Sequence, residues 1–131
     1  MLRESLGDCP LYCVACNGEV EPGRIGFDAR LAEDIANWRS VYRSLYLLWL
    51  DSGEYETWAM GRLRDPNGSV NTHGRSIVRR LNEYIRAYYW WFNDLNVAGF
   101  APPDYCPLCS GDLEACEDRD VKKCDRCSIL I

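Results

Sequence analysis

DYCPLCSGDLEACEDRDVKKCDRCSILI, residues 104–131, is the stretch that decides the fold. Cys106, Cys109, Cys124 and Cys127 fall in the pattern C-x2-C-x14-C-x2-C. Each short pair folds into a tight knuckle that aims two sulfurs at one ion, and two such pairs at this separation match structural zinc spacing. Pro107 and Gly111 suit the turns involved. The spacing therefore predicts one Zn2+ held by four thiolates at the base of a short β-ribbon. Four thiolates leave no position open for water, so the site is structural rather than catalytic. A ribbon of this size has no core of its own, and metal binding can supply ~10 kcal/mol or more of its folding energy.

Working outward, the chain holds eight cysteines in 131 residues, so four remain. Cys13-Val-Ala-Cys16-Asn-Gly repeats the knuckle pattern, and Cys9 and Cys116 are the only partners left for it. A second metal site at Cys9, Cys13, Cys16 and Cys116 would tie the N-terminal segment to the ribbon loop; ordinary free thiols are the alternative. A thioredoxin-like role for Cys13 and Cys16 needs a βαβ pattern around them, and the residues that follow read as helix. Residues 1–13 lack the apolar run of a signal peptide, and the densest apolar stretch, LYLLWL at 45–50, is far too short to span a bilayer. The expectation is a cytoplasmic protein with no membrane association, in a compartment where thiols are ligands rather than disulfides.

Between the cysteine-bearing ends the pattern is helical. Residues 28–51 place Leu31, Ile35, Trp38, Tyr42, Leu45, Trp49 and Leu50 on one face, with Asp28 as N-cap. A shorter helix follows at 54–63, stopped by Asp65-Pro66-Asn67-Gly68. A third is predicted over 72–94, with Ile77, Leu81, Ile85, Tyr88 and Phe92 aligned. The expected architecture is mainly α: an N-terminal cysteine knuckle and turn segment (1–26), a body of about three helices (27–98), and a C-terminal four-cysteine zinc ribbon (99–131) entered through Gly99–Pro103. Five consecutive aromatics, Tyr88 to Phe92, cover every direction of a helix. Some pack against the ribbon and the first helix; Trp90 and Trp91 are the candidates for an exposed partner contact.

Charge is unevenly distributed. Residues 1–56 carry five Arg against ten Asp and Glu, residues 57–87 six Arg against two acids, and residues 88–131 four bases against eight acids, within a net charge of −5. A zinc ion on four thiolates adds about two more negative charges to the ribbon. Glu114, Glu117 and Asp118 sit in that acidic hairpin, which is a poor surface for phosphate and a good one for a basic protein partner. The central arginines differ: Arg75, Arg79 and Arg86 form the candidate nucleic-acid face, against the alternative that acids of the first helix and Glu83 neutralise them. Catalysis has little support. His73 is the one histidine, and no phosphate loop, nucleophile elbow or paired His ligands occur, so no enzyme is expected.

CVACNG at 13–18, Trp38 with Tyr42, GRSIVRRLNEY at 74–84 leading into Tyr88–Trp90, and YCPLCSG paired with KKCDRCSILI resemble an uncharacterised bacterial family of zinc-ribbon-containing proteins described as nucleic-acid-binding. The likeness runs from Cys13 to the end and is most specific in the ribbon; members are longer at the N-terminus, so a preceding domain is expected to be missing here. The resemblance implies a zinc ribbon and a nucleic-acid role, and the acidic hairpin departs from the latter. A weaker likeness joins the chain to small proteins with two CxxCG-like motifs that resemble immunity factors of bacterial toxin systems. An acidic protein that neutralises a basic toxin agrees in sign with the charge pattern. The sequence thus points to a non-catalytic zinc protein acting through protein–protein contact, immunity- or antitoxin-like, with a nucleic-acid-binding module as the alternative.

Overall fold

The computed structural model describes residues 1–93, 103–116 and 120–131. A single 3-10 turn at Pro22–Arg24 precedes three helices, α1 (Ala29–Asp51), α2 (Glu56–Arg64) and α3 (Ser69–Leu81). Four short strands follow: β1 (Tyr89–Trp90), β2 (Glu114–Ala115), β3 (Lys122–Cys124) and β4 (Ile129–Leu130). They form one mixed sheet in the order β1-β4-β3-β2, antiparallel except for the β1–β4 pair.

Local chemistry accounts for the helix boundaries. Asp28 Oδ1 accepts from the Leu31 N–H at 2.7 Å, which satisfies one of the orphan donors of α1. Leu31, Ile35, Trp38 and Tyr42 then face inward. The α2–α3 turn is held by Asn71, a buried side chain whose amide donates to the carbonyls of Leu63 (3.0 Å) and Asp65 (2.8 Å) at the end of α2. Those two bonds satisfy a helix terminus that Pro66 would otherwise leave open.

The third helix is shorter than its periodicity predicts, and the aromatic run is not helical. α3 ends at Leu81, where the Asn82 side chain takes over. Its amide donates to Val78 O (2.8 Å) and Ala87 O (2.9 Å), and its carbonyl oxygen accepts from Ala87 N–H (3.0 Å). One side chain thus clamps both sides of a reversal, the competition with the helix ladder that Asn offers. Tyr88–Phe92 emerges extended and becomes the parallel neighbour of the chain's last strand, Tyr89 opposite Ile129 and Trp90 opposite Leu130. A mainly helical architecture is corrected accordingly: the ribbon's sheet takes a strand from the body.

The N-terminal residues close the same sheet on its other side. Leu2 donates to Tyr88 O (2.8 Å) and accepts from Trp90 N–H (2.9 Å), while Tyr89 N–H and Trp91 N–H turn the opposite way, to Ser128 O (2.8 Å) and Leu130 O (2.7 Å). The alternation is that of a strand with a partner on each edge. Tyr89 lies fully buried between Trp38 and α3, its hydroxyl donating to Asn71 Oδ1 at 2.8 Å. Gly74 makes room for it: a Cβ there would collide with the Tyr89 ring and lie 2.8 Å from Trp38 Nε1. One continuous core therefore contains Leu2 and Leu11, the inner faces of the helices, Trp91 and Phe92, and Ile129 and Ile131.

Buried Glu4 fixes the N-terminal segment to α1. Its carboxylate meets Arg39 Nε at 3.1 Å and Arg43 Nη1 at 3.8 Å, and the Arg39 guanidinium also donates to the carbonyls of Gly7 and Asp8. A carboxylate removed from water needs such partners.

Candidate metal centre and its surroundings

The two C-terminal knuckles are built alike. Cys106 N–H donates to Gly111 O (2.8 Å) and Ser110 N–H to Cys106 O (2.9 Å), closing the first turn; Ser128 N–H reaches Asp125 O (3.4 Å) in the second. Ser110 and Ser128, each following the second cysteine of its pair, take positive φ values of 55° and 52°. That left-handed residue turns the chain so both sulfurs of a pair point the same way.

The β2–β3 pairing, which joins the segment after the first knuckle to the strand that leads into the second, then sets one knuckle beside the other. The sulfurs of Cys106, Cys109, Cys124 and Cys127 all lie within 4.8 Å of one another, with Cys109 Sγ and Cys124 Sγ 3.8 Å apart. Cys106 and Cys124 are buried and the other two half-buried. This cluster can hold a metal ion. The Gly111 backbone N–H brings the Cys109 thiol down to about 7, favouring the thiolate a metal needs. Burial pushes Cys124 and Cys127 upward, as expected for thiols crowded together without a cation.

The second group does not assemble. Among the described residues no three of Cys9, Cys13, Cys16 and Cys116 gather in the way the first four do. Cys9 turns inward instead, its thiol donating to Val20 O at 3.3 Å and its sulfur accepting from Leu11 N–H. Cys116 packs against the small cluster of Met1, Tyr12, Tyr88 and Leu130, and its backbone N–H donates to Val121 O at 3.0 Å. Cys13 and Cys16 stay together in their own knuckle, closed by Cys13 N–H to Gly18 O (2.8 Å) and Asn17 N–H to Cys13 O (3.1 Å), with Asn17 at φ 57°. The backbone N–H of Cys16 holds the Cys13 thiol below its ordinary value.

Of the expected partner contacts, Trp91 is corrected: it is 5% exposed and packs edge-on against Tyr89. The aromatic run alternates as a strand does, so its side chains divide between two packed faces. Trp90 is half-buried, with the Arg3 guanidinium 4.9 Å over its ring. Glu114 is exposed and lies 3.6 Å from Lys123; Glu117 and Asp118 fall outside the described residues.

The arginines divide as well. Arg86 leaves the expected set, because its guanidinium is engaged by Asp125 (3.0 Å) and Tyr88 Oη (3.2 Å). Asp125 is a hub inside the second knuckle: the Tyr88 hydroxyl, then Lys123, bring its carboxyl down to about 2. Arg80 pairs with Asp34 and Asp28 of α1 and its cap. Arg75 and Arg79 face a cleft of about 550 Å3 between α3 and the second knuckle, where they meet Arg126. Sequence reasoning passed over Arg126. Its signal was its place between the cysteines of a knuckle, where a side chain must point away from the metal.

No family model, curated protein or solved structure matches the chain.

Proposed function

We propose that this is a non-catalytic protein clasped by one zinc ion, which acts by binding a basic protein partner in the manner of an immunity or antitoxin-like factor. Zinc suits the four-cysteine cluster on donor chemistry: four soft thiolates, in two knuckles, with no carboxylate or imidazole among them. Zn–S bonds of about 2.3 Å in a tetrahedron put the sulfurs about 3.8 Å apart. The Cys109–Cys124 separation of 3.8 Å equals that edge. An ion so enclosed has no place for water or substrate, and its work is to hold the ribbon.

The partner reading rests on one observation, at the α1–α2 turn. Leu47, Leu50, Tyr55 and Trp58 expose between 46% and 52% of their surface there. Exposed Asp51 and Glu54 lie among them, and no Lys, Arg or His occurs from 44 through 61. Large apolar groups rimmed by one sign of charge are the composition of a docking face for a partner of opposite charge. This moves the proposed contact from the ribbon hairpin to the helical end, with Glu114 and Trp90 as secondary candidates. The nucleic-acid alternative through Arg75, Arg79 and Arg86 is weakened by the engagement of Arg86.

Two measurements test the reading. Elemental analysis and circular dichroism before and after a strong chelator should give one zinc per chain and loss of structure on its removal; a metal-free folded chain would sink the clasp. A partner recovered by affinity capture should bind the Asp51→Lys, Glu54→Lys and Trp58→Ala variants at least about tenfold more weakly. Unchanged affinity in all three would remove this face from the interface.

A further inference from the structure

We infer that the cleft between α3 and the second knuckle is a phosphate-binding site, separate from the α1–α2 face and independent of the reading built on it. The cleft holds about 550 Å3, and three guanidinium groups line it: Arg75 and Arg79, one turn apart on α3, and Arg126 from the knuckle. The hydroxyl-bearing Thr72 and Ser128 line it too. No carboxylate does so among the described residues.

The distribution of partners gives this grouping its meaning. Six other cations have acidic partners, Arg39 and Arg43 with Glu4, Arg80 with Asp34, Arg86 and Lys123 with Asp125, and Lys122 with Asp104 at 2.6 Å, while exposed Arg24 and Arg30 lack one among the described residues. In a chain with more acids than bases, Arg79 and Arg126 nonetheless have no acidic or hydrogen-bonding partner among the described residues. Arg75 is held in place by carbonyls: its Nη2 donates to Pro66 O at 3.0 Å and its Nε to Asn71 O at 3.4 Å. An anchored guanidinium with one face left over, beside two unmatched ones, is an arrangement prepared for an oxyanion. Phosphate fits it best, since its several oxygens accept from more than one planar fork and its charge offsets the surplus. Cys127 borders the cleft, so the metal-bound knuckle would fix where Arg126 points.

The phosphate can arrive as a small ester or as part of a nucleic-acid strand, and the test separates the two. The zinc-loaded full chain is titrated calorimetrically with inorganic phosphate, with adenosine monophosphate and with a short single-stranded oligonucleotide, at low and raised salt. The expected result is saturable binding of at least one probe at one per chain. That binding should weaken about tenfold or more in the Arg79→Gln, Arg126→Gln double variant and recover in part with Lys at both positions. Competition by the mononucleotide identifies a single-phosphate site. Binding of the oligonucleotide alone, with a salt slope reduced by about two in the double variant, identifies a backbone track. Arg30→Gln, exposed on α1 and outside the cleft lining, serves as the charge control and should match the wild type. Absence of binding by all three probes at millimolar concentration overturns the inference, as does equal affinity in the double variant. Loss of zinc from the double variant also overturns it, because the arginines would then be counter-charges to the thiolates.

Discussion

The turn at Cys13–Cys16 carries the same backbone as the turns at Cys106–Cys109 and Cys124–Cys127: two cysteines three apart, then a left-handed residue, Asn17, Ser110 or Ser128, at φ between 52° and 57°. Two of these turns meet in a cluster of four sulfurs, and among the described residues the third gathers no such set of ligands. Local sequence is therefore enough to make a knuckle and insufficient to make a metal site. Whether one forms depends on the element that carries a second knuckle to it. The β2–β3 pairing does so at the C-terminus, whereas Cys9 is turned to Val20 and Cys116 donates its backbone N–H to Val121 O.

The largest expected effect breaks the clasp on one side of this comparison. Cys106→Ser removes a buried ligand, and the binding energy of a structural zinc, ~10 kcal/mol or more, is comparable to the whole stability of a domain this size. The variant should lose stoichiometric metal and its cooperative thermal transition, both read on one sample. Retention of a full zinc equivalent would mean that the ion sits elsewhere.

The core beneath the ribbon should give the next effects. Glu4→Gln leaves Arg39 and Arg43 without their counter-charge. A broken buried pair costs about 3–5 kcal/mol, and the partial exposure of Arg39 lowers the expectation to about 2–3 kcal/mol in a denaturant midpoint. Gly74→Ala forces a methyl against Tyr89 and Trp38 and should cost about 1–3 kcal/mol or more by the same measurement. A neutral Gly74→Ala would show that β1 can shift off α3 freely, and the coupling of ribbon to body would be weaker than the packing indicates.

These positions also mark what was legible beforehand. Spacing alone specified the ligands Cys106, Cys109, Cys124 and Cys127, because a knuckle is a local object. Periodicity placed α1 and α2 within a residue or two, and the Asp28 cap was readable from its type. The end of α3 was not, since Ile77, Leu81, Ile85, Tyr88 and Phe92 keep helical spacing across the point where the chain turns. What decides there is the double clamp of Asn82 and the vacant edge of β4, a strand some forty residues away. The fate of Trp91 follows from that turn. Arg126 escaped notice for a similar reason, because its neighbours in the cleft, Arg75 and Arg79, come from a distant helix.

The smallest expected effect sharpens the opening comparison most. In the Cys13→Ser, Cys16→Ser double variant the knuckle keeps its backbone bonds to Gly18 and Cys13 O, because the N–H and C=O groups that make them are untouched. Cys13 is half-buried and Cys16 exposed, so the change removes little packing, and surface substitutions of this kind stay within about 0.5 kcal/mol. The variant should hold the same single zinc and unfold at nearly the wild-type midpoint. A drop from two metal equivalents to one would instead show that the N-terminal knuckle finds ligands in solution. The distinction between the paired turns and the solitary one would then belong to the metal-free chain alone.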